Sequence, residues 1–308
     1  MPQQEWTLVN NQLELQSPTE PTLAAPRRNL LKSPNFQESI GLVGILAILV
    51  IFLAIKSPYF LSAGNFLNIL TNVSTVGIIA IAMTIVIVSG GLDLSVGSVV
   101  ALTGVAVAQL SHSASIGVAV GAALLIGIFV GGVNGVAITK VGINPLITTL
   151  GTLSIVRGLA LVFSNGLSQS IENEAFLFLG RGKLFGLPTQ VAIMLILALA
   201  AAWIMRATVY GRSIYAIGGN AQASRLAGLP VVKLQMSVYV LSGLAAALGG
   251  LVSAAMTGAG APASAQGIEL SVIAAVILGG TSLTGGKGTI WGTMLGVLIL
   301  GTLNNGLT

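Results

Sequence analysis

Gly91-Leu-Asp-Leu-Ser-Val96 occurs a second time in this chain, as Gly267-Ile-Glu-Leu-Ser-Val272. In both copies a glycine stands two residues before an acid, and Leu-Ser-Val opens an apolar run. The echo continues downstream at nearly the same offset, where Gly132-Val-Asn-Gly135 resembles Leu303-Asn-Asn-Gly306. A repeat of this kind in an apolar chain marks a transporter built from two structural halves.

Composition sets the setting for that repeat. Of 308 residues, 54% are hydrophobic and 7% charged, against about 25% charged in soluble domains. So few charges cannot clothe a water-facing surface, and the chain reads as an all-α polytopic membrane protein. Forty glycines point to close helix packing and interrupted helices. The net charge of +5 is dispersed between apolar runs, which excludes a nucleic-acid surface. Absence of cysteine excludes thiol catalysis, disulfides and cysteine-based metal sites. A single histidine, His112, excludes a histidine cluster for a metal.

Residues 1–38 read as a mostly disordered cytoplasmic tail, rich in Pro, Gln and Asn. Arg27, Arg28 and Lys32 come too late for a signal peptide. Spans need roughly 17–25 apolar residues, which places helices near 39–55, 66–89, 95–111, 115–138, 143–163, 188–205, 234–257, 270–283 and 288–305. Nine spans put the amino end inside and the carboxyl end outside. Arg27, Arg28, Lys32, Lys140, Arg206, Arg212, Arg225, Lys233 and Lys287 then fall inside, and Lys56, Arg181 and Lys183 outside, in keeping with the positive-inside rule. The two hexads open the third and eighth spans, an odd separation, so they face opposite sides of the membrane and the repeat is inverted. The eighth span is broken by Gly279-Gly280. At about 1.5 Å per residue it covers roughly 21 Å, short of the ~30 Å hydrocarbon core. A short span paired with its counterpart points to a translocation path.

Asp93 and Glu269 admit two readings. An acid at membrane depth can bind a solute hydroxyl or a proton. Alternatively each is a structural cap on the helix it precedes, held by the positive end of the dipole. The same hexad on opposite faces favours the cap. Arg157 is the only basic residue placed inside a span; it either lines the pathway or lies near the interface. Asn134, Asn144, Thr148, Thr149 and Asn165 are neutral hydrogen-bonding groups in or near spans. They suit a polar uncharged solute, and helix–helix bonding accounts for them equally well. Asn134, Asn144, Thr148, Thr149 and Arg157 are therefore the pathway candidates.

Gly280-Thr-Ser-Leu-Thr-Gly-Gly-Lys-Gly-Thr289 has Thr281 and Gly288 where a P-loop needs its first glycine and its hydroxyl, so it reads as a tight inter-helix loop. On the inner side, residues 206–233 hold a small punctuated helix. Asn220 caps it, Gly228 suits a left-handed stop and Pro230 prevents continuation. A rigid cytoplasmic helix with defined ends suits an engine docked beneath the membrane better than a helix lying on lipid, because it carries one charge and a weak apolar face.

With these residues in hand, the chain resembles the permease subunits of bacterial sugar ABC importers of the ribose, xylose, arabinose and galactose type. The resemblance spans residues 42–308. It rests on Gly90-Gly-Leu-Asp-Leu-Ser-Val-Gly-Ser98; on Asn144-Pro-Leu-Ile-Thr-Thr-Leu-Gly-Thr152 with Arg157-Gly158; on Tyr215-Ala-Ile-Gly-Gly-Asn220 with Ser224-Arg-Leu-Ala-Gly228; and on Ile277-Leu-Gly-Gly-Thr281 with Gly285-Gly286. It implies an inner-membrane permease, paired with itself or a sister chain, with two cytoplasmic ATPase domains and a periplasmic sugar-binding protein. The implied fold is an inverted-repeat helical bundle like that of vitamin B12 importers, with ten spans and both termini inside. Nine are found here, so the resemblance leads one to expect a missing C-terminal span. It also implies that Asn220, Ser224, Arg225, Leu226, Ala227 and Gly228 form the coupling helix seated on the ATPase. This chain itself would bind no cofactor, with ATP and Mg held by the ATPase, and solute would cross by alternating access. The alternative is a secondary transporter driven by an ion gradient, with Asp93 or Glu269 carrying the proton. An intramembrane enzyme lacks any nucleophile–base or metal constellation in the spans.

Overall fold

A computed structural model describes residues 34–307, with the backbone alone over 34–39. The tail expected over 1–38, with Arg27, Arg28 and Lys32, therefore lies outside the described residues, except that helix α1 begins at Pro34 and runs to Lys56. The helices that follow are α2 (Ala63–Val88), α3 (Val96–Ser111), α4 (Ile116–Val136, extended by a π-turn over Ala137–Val141) and α5 (Pro145–Ser164). A small helix α6 (Glu174–Arg181) precedes α7 (Thr189–Ala207), α8 (Val209–Gly219), α9 (Ala221–Leu226), α10 (Val231–Thr257), α11 (Ile268–Leu278) and α12 (Ile290–Leu307). Among the described residues the strands are two-residue pieces. β1 (Gln169–Ser170) pairs antiparallel with β4 (Ala259–Gly260), and β2 (Lys183–Leu184) with β3 (Leu187–Pro188). The chain is a polytopic all-α membrane protein.

Six of these helices, α2, α4 with its π-turn, α5, α7, α10 and α12, are long and apolar enough to cross a membrane; α1, α3 and α11 are shorter apolar helices. All nine fall on the apolar runs marked in the sequence. The eighth ends sooner than drawn, at Leu278 rather than Leu283, because Gly279 caps it and Gly280 turns the chain at φ +85°.

α2 and α10 form the centre. Their apolar windows are 78% and 67% buried inside the bundle, against 17% for α5, so α5 lies at the outside of the bundle. Ile48, Phe129, Val162 and Ile196 are among the apolar side chains exposed on the outer helices, as a bilayer requires. α10 lies closest to α4, and glycines permit it. An added Cβ at Gly127 would strike Gly243 O, one at Gly243 would strike Gly127 O, and one at Gly131 would strike Tyr239 O. With Gly135 against Met236, every fourth residue of α4 brings its backbone onto α10, the small-residue packing that replaces the hydrophobic effect in lipid.

Two crossings of similar shape flank this centre. After α2 the chain turns back through residues 89–95 into α3; after α10 it turns back through residues 258–267 into α11. At about 1.5 Å per residue α3 is roughly 24 Å long and α11 roughly 16 Å, so each begins inside the bundle. Gly104 packs on Gly260, while Gly97 packs on Ala265 and Glu269. The second crossing therefore runs antiparallel to α3, and α11 starts where α3 starts. The two half-helices meet at their amino ends. The hexads do not lie on opposite faces of the membrane, as treating each as the start of a full span suggested; the first is buried and the second comes against its helix, α3, at Gly97, with Leu270 66% exposed.

Candidate functional site

The first hexad is held by a chain of buried polar groups. Asp93 is 1% exposed. Its Oδ1 accepts from Ser95 N at 3.0 Å and Ser95 Oγ at 2.6 Å, and its Oδ2 accepts from Ser242 Oγ on α10 at 2.7 Å. The N-cap position of α3 belongs to Ser95, so Asp93 folds the turn ahead of the helix rather than capping it, and in doing so ties that turn to α10. From Ser95 the chain continues outward. Asn134 Nδ2 donates to Ser95 Oγ at 3.0 Å, and Thr152 Oγ1 donates to Asn134 Oδ1 at 2.6 Å. Four segments, α10, the first crossing, α4 and α5, are thus joined at one depth, and each bond satisfies a group that would cost about 1–3 kcal/mol if buried alone.

The second acid is placed differently. Glu269 lies in the first turn of α11, behind Gly267 at φ +76°, but its Oε2 rests against Gly97 in the first turn of α3. That oxygen is buried and accepts no hydrogen bond. Two helix amino ends facing each other repel, each carrying about half a positive charge, and one carboxylate between them offsets both. Glu269 therefore acts on the partner half-helix as much as on its own. Arg157 lies within α5 and its Nη1 donates to Pro262 O and Ser264 O, both at 2.8 Å. Glu269 is its electrostatic neighbour. The guanidinium thus pins the second crossing just before α11 begins. Arg157→Gln is expected to loosen that crossing by about 1.5–3 kcal/mol, the worth of hydrogen bonds from a charged donor. Hydrogen exchange at residues 259–266 should accelerate accordingly while α2 and α10 stay protected.

The remaining pathway candidates do not gather. Asn134 is fully buried in the network above. Asn144 is exposed and caps α5, accepting from Leu146 N at 2.9 Å. Thr149 is buried and donates to Pro145 O at 2.9 Å within its own helix, whereas Thr148 Oγ1 is buried without a partner. Asn165 ends α5 in the left-handed conformation at φ 51°. Sequence reading passed over Ser242 and Thr152, which complete the network; nothing in their local sequence distinguishes them from other helical hydroxyls. It also passed over a groove of about 550 Å³ between α2, α11 and α12, where Asn72, Ser271, Asn304 and Asn305 stand among apolar side chains. Asn305, the repeat mate of Asn134, forms a reciprocal amide pair with Asn65 of α2 at 3.0–3.1 Å.

At one end of the bundle, residues 206–233 build a pair of short helices. α8 is capped by Thr208, whose Oγ1 accepts from Gly211 N, and it was not foreseen; α9 carries the expected punctuation. Asn220 Oδ1 accepts from Ala223 N at 2.8 Å, Gly228 sits at φ +84°, and Leu229 N returns to Ser224 O at 3.0 Å. Ser224 is buried, whereas Arg225 and Ala227 are exposed and Leu226 is 85% exposed. Leu226 is thus held out into solvent on a short helix with a defined start and stop.

The family model described as "Branched-chain amino acid transport system / permease component" matches residues 65–308. The chain belongs to that family. The permease is similar to the ribose import permease protein RbsC of Escherichia coli (strain K12), at 44% identity over 275 residues, 88% of this chain and 85% of the relative. RbsC of Bacillus subtilis (strain 168) is 43% identical over 269 residues, 85% of this chain and 82% of its own. The L-arabinose transport system permease protein AraH of Escherichia coli (strain K12) is 42% identical over 273 residues, 88% and 83% of the two chains. No solved structure matches. As a permease component the chain is a transport subunit and not an enzyme.

Proposed function

We propose that this permease is the membrane subunit of an ATP-driven importer of a monosaccharide, passing sugar from a periplasmic binding protein to the cytoplasm by alternating access. The observation that carries the reading is the 44% identity to a ribose import permease over 88% of this chain. The chemistry of the centre supports a neutral solute. Its polar groups are hydroxyls, amides and acids already engaged or sealed, with Arg157 spent on two carbonyls, which leaves little to hold a zwitterion. Asp93, closed inside its network, is poorly placed to exchange a proton, which disfavours the gradient-driven alternative.

ATP and Mg belong on a cytoplasmic ABC ATPase, docked on the surface formed by Asn220, Ser224, Arg225, Leu226, Ala227 and Gly228. The connections bearing Lys140, Arg206, Arg212, Arg225, Lys233 and Lys287 share the end of the bundle that holds α9, and those bearing Lys56, Arg181 and Lys183 share the other. By the positive-inside rule this distribution supports a cytoplasmic α9 end in a bacterial inner membrane, with the amino end inside. A second copy of the chain completes the permease core.

The test is uptake of labelled ribose, arabinose, galactose and leucine by cells expressing the permease with its own ATPase and binding protein. Saturable uptake of one or more sugars, unaffected by leucine, is expected; uptake of leucine alone overturns the reading. Leu226→Asp places a charge on the docking surface and is expected to lower ATPase recovered with the purified permease by at least tenfold, with the fold of the permease unchanged by circular dichroism.

A further inference from the structure

At the α9 end of the bundle, three segments meet backbone to backbone. An added Cβ at Gly218, near the end of α8, would strike Val88 O and lie 2.6 Å from Gly286 N. Gly286 N itself donates to Val88 O at 2.8 Å. An added Cβ at Gly285 would lie 2.8 Å from Gly218 O and 3.0 Å from Gly90 Cα. Gly90, Gly285 and Gly286 take φ of +86°, +83° and +73°, a region open to glycine at little cost. Tyr215, one turn before Gly218, adds a bond from its Oη to Gly288 O at 2.8 Å. Burial raises the pKa of this phenol, which keeps it a donor at physiological pH.

Each of the three segments leads somewhere. Gly218 belongs to α8, which passes through Asn220 into α9. Val88 and Gly90 enter the first crossing, which carries Asp93 and α3. Gly285 to Gly288 lie on the loop that joins α11 to α12. The contact therefore links one external helix to both half-helices at once. Contacts made by long side chains absorb a small displacement by changing rotamer, whereas close-packed backbone transmits it.

We infer that this glycine junction is the transmission element of the permease, passing displacement of α9 to the first crossing, which leads into α3, and to the loop that follows α11. The inference rests on the reading that α9 receives the stroke of an ATPase. The rapid loss of function expected on widening the junction is a loss of coupling and not of hydrolysis.

The experiment is made on the full complex, permease with its own ATPase and binding protein, in proteoliposomes, reading sugar moved per ATP hydrolysed. Gly218→Ala is expected to lower that ratio at least tenfold, and Tyr215→Phe, which keeps the packing and removes one bond, at least twofold. Gly219→Ala, whose added Cβ meets nothing within 4 Å, should stay within twofold. Either of the first two variants staying within twofold of the unmodified complex overturns the inference, as does an equal loss at Gly219. Should Gly218→Ala fail to assemble, Tyr215→Phe decides alone. An unmodified complex that hydrolyses ATP and moves no sugar overturns the importer reading itself, and the inference with it.

Discussion

Gly243→Val eliminates the folded permease. A Cβ at this position would strike Gly127 O and stand 3.0 Å from Gly131 Cα, so the new side chain meets backbone and no rotamer relieves it. α4 and α10 would have to part along the seam of Gly127, Gly131 and Gly135, and α10 is the helix on which α2, α3 and α6 also pack. Overpacking typically costs about 1–3 kcal/mol, and a clash against backbone at the centre belongs at or beyond the upper end. The expected result is loss of the monodisperse peak in size-exclusion chromatography of detergent-extracted protein. Gly132→Ala, one residue from the seam, meets nothing within 4 Å and should leave the peak and the melting temperature unchanged.

Asp93 carries the second large effect. Asp93→Ala removes the acceptor of three hydrogen bonds and leaves Ser95 and Ser242 with buried donors unpaired. With about 1–3 kcal/mol for each buried donor left unpaired, the loss should reach several kcal/mol and appear as a large fall in apparent melting temperature. Asp93→Asn turns an amide toward a hydroxyl donor and should fall between Asp93→Ala and Ser242→Ala. A proton-carrier role predicts another pattern: Asp93→Asn would keep full thermal stability while abolishing flux. Measuring melting and uptake on the same three variants separates the two, because a network acceptor loses both together.

The sequence made the helices legible and left their depth hidden. All nine apolar runs became helices, because a run of Val, Ile, Leu, Ala and Gly in lipid has no other way to satisfy its backbone. The end of α9 was readable from Asn220 and Gly228, whose roles are local. What depends on distant partners was not readable. Treating the hexads as the first turns of full spans put Asp93 and Glu269 on opposite faces. In fact residues 89–95 and 258–267 run back into the bundle before any helix starts, and this brings Glu269 to Gly97. Asn134 and Arg157 were visible as polar groups in or near spans; their partners Ser95, Thr152, Pro262 and Ser264 were not, since these bonds join segments 18 to 107 residues apart. α8 was missed because its 11 residues are too few for a span and its packing partners, Val88 and Gly286, lie far along the chain.

The most direct test of the account is uptake of labelled ribose and arabinose in cells that hold one energy source at a time. An uncoupler with ATP maintained removes the ion gradient; ATP depletion with the gradient preserved removes the other. The account predicts uptake that survives the uncoupler and stops without ATP. Uptake that stops with the uncoupler and continues without ATP contradicts it, and would return Asp93 and Glu269 to the centre as proton carriers.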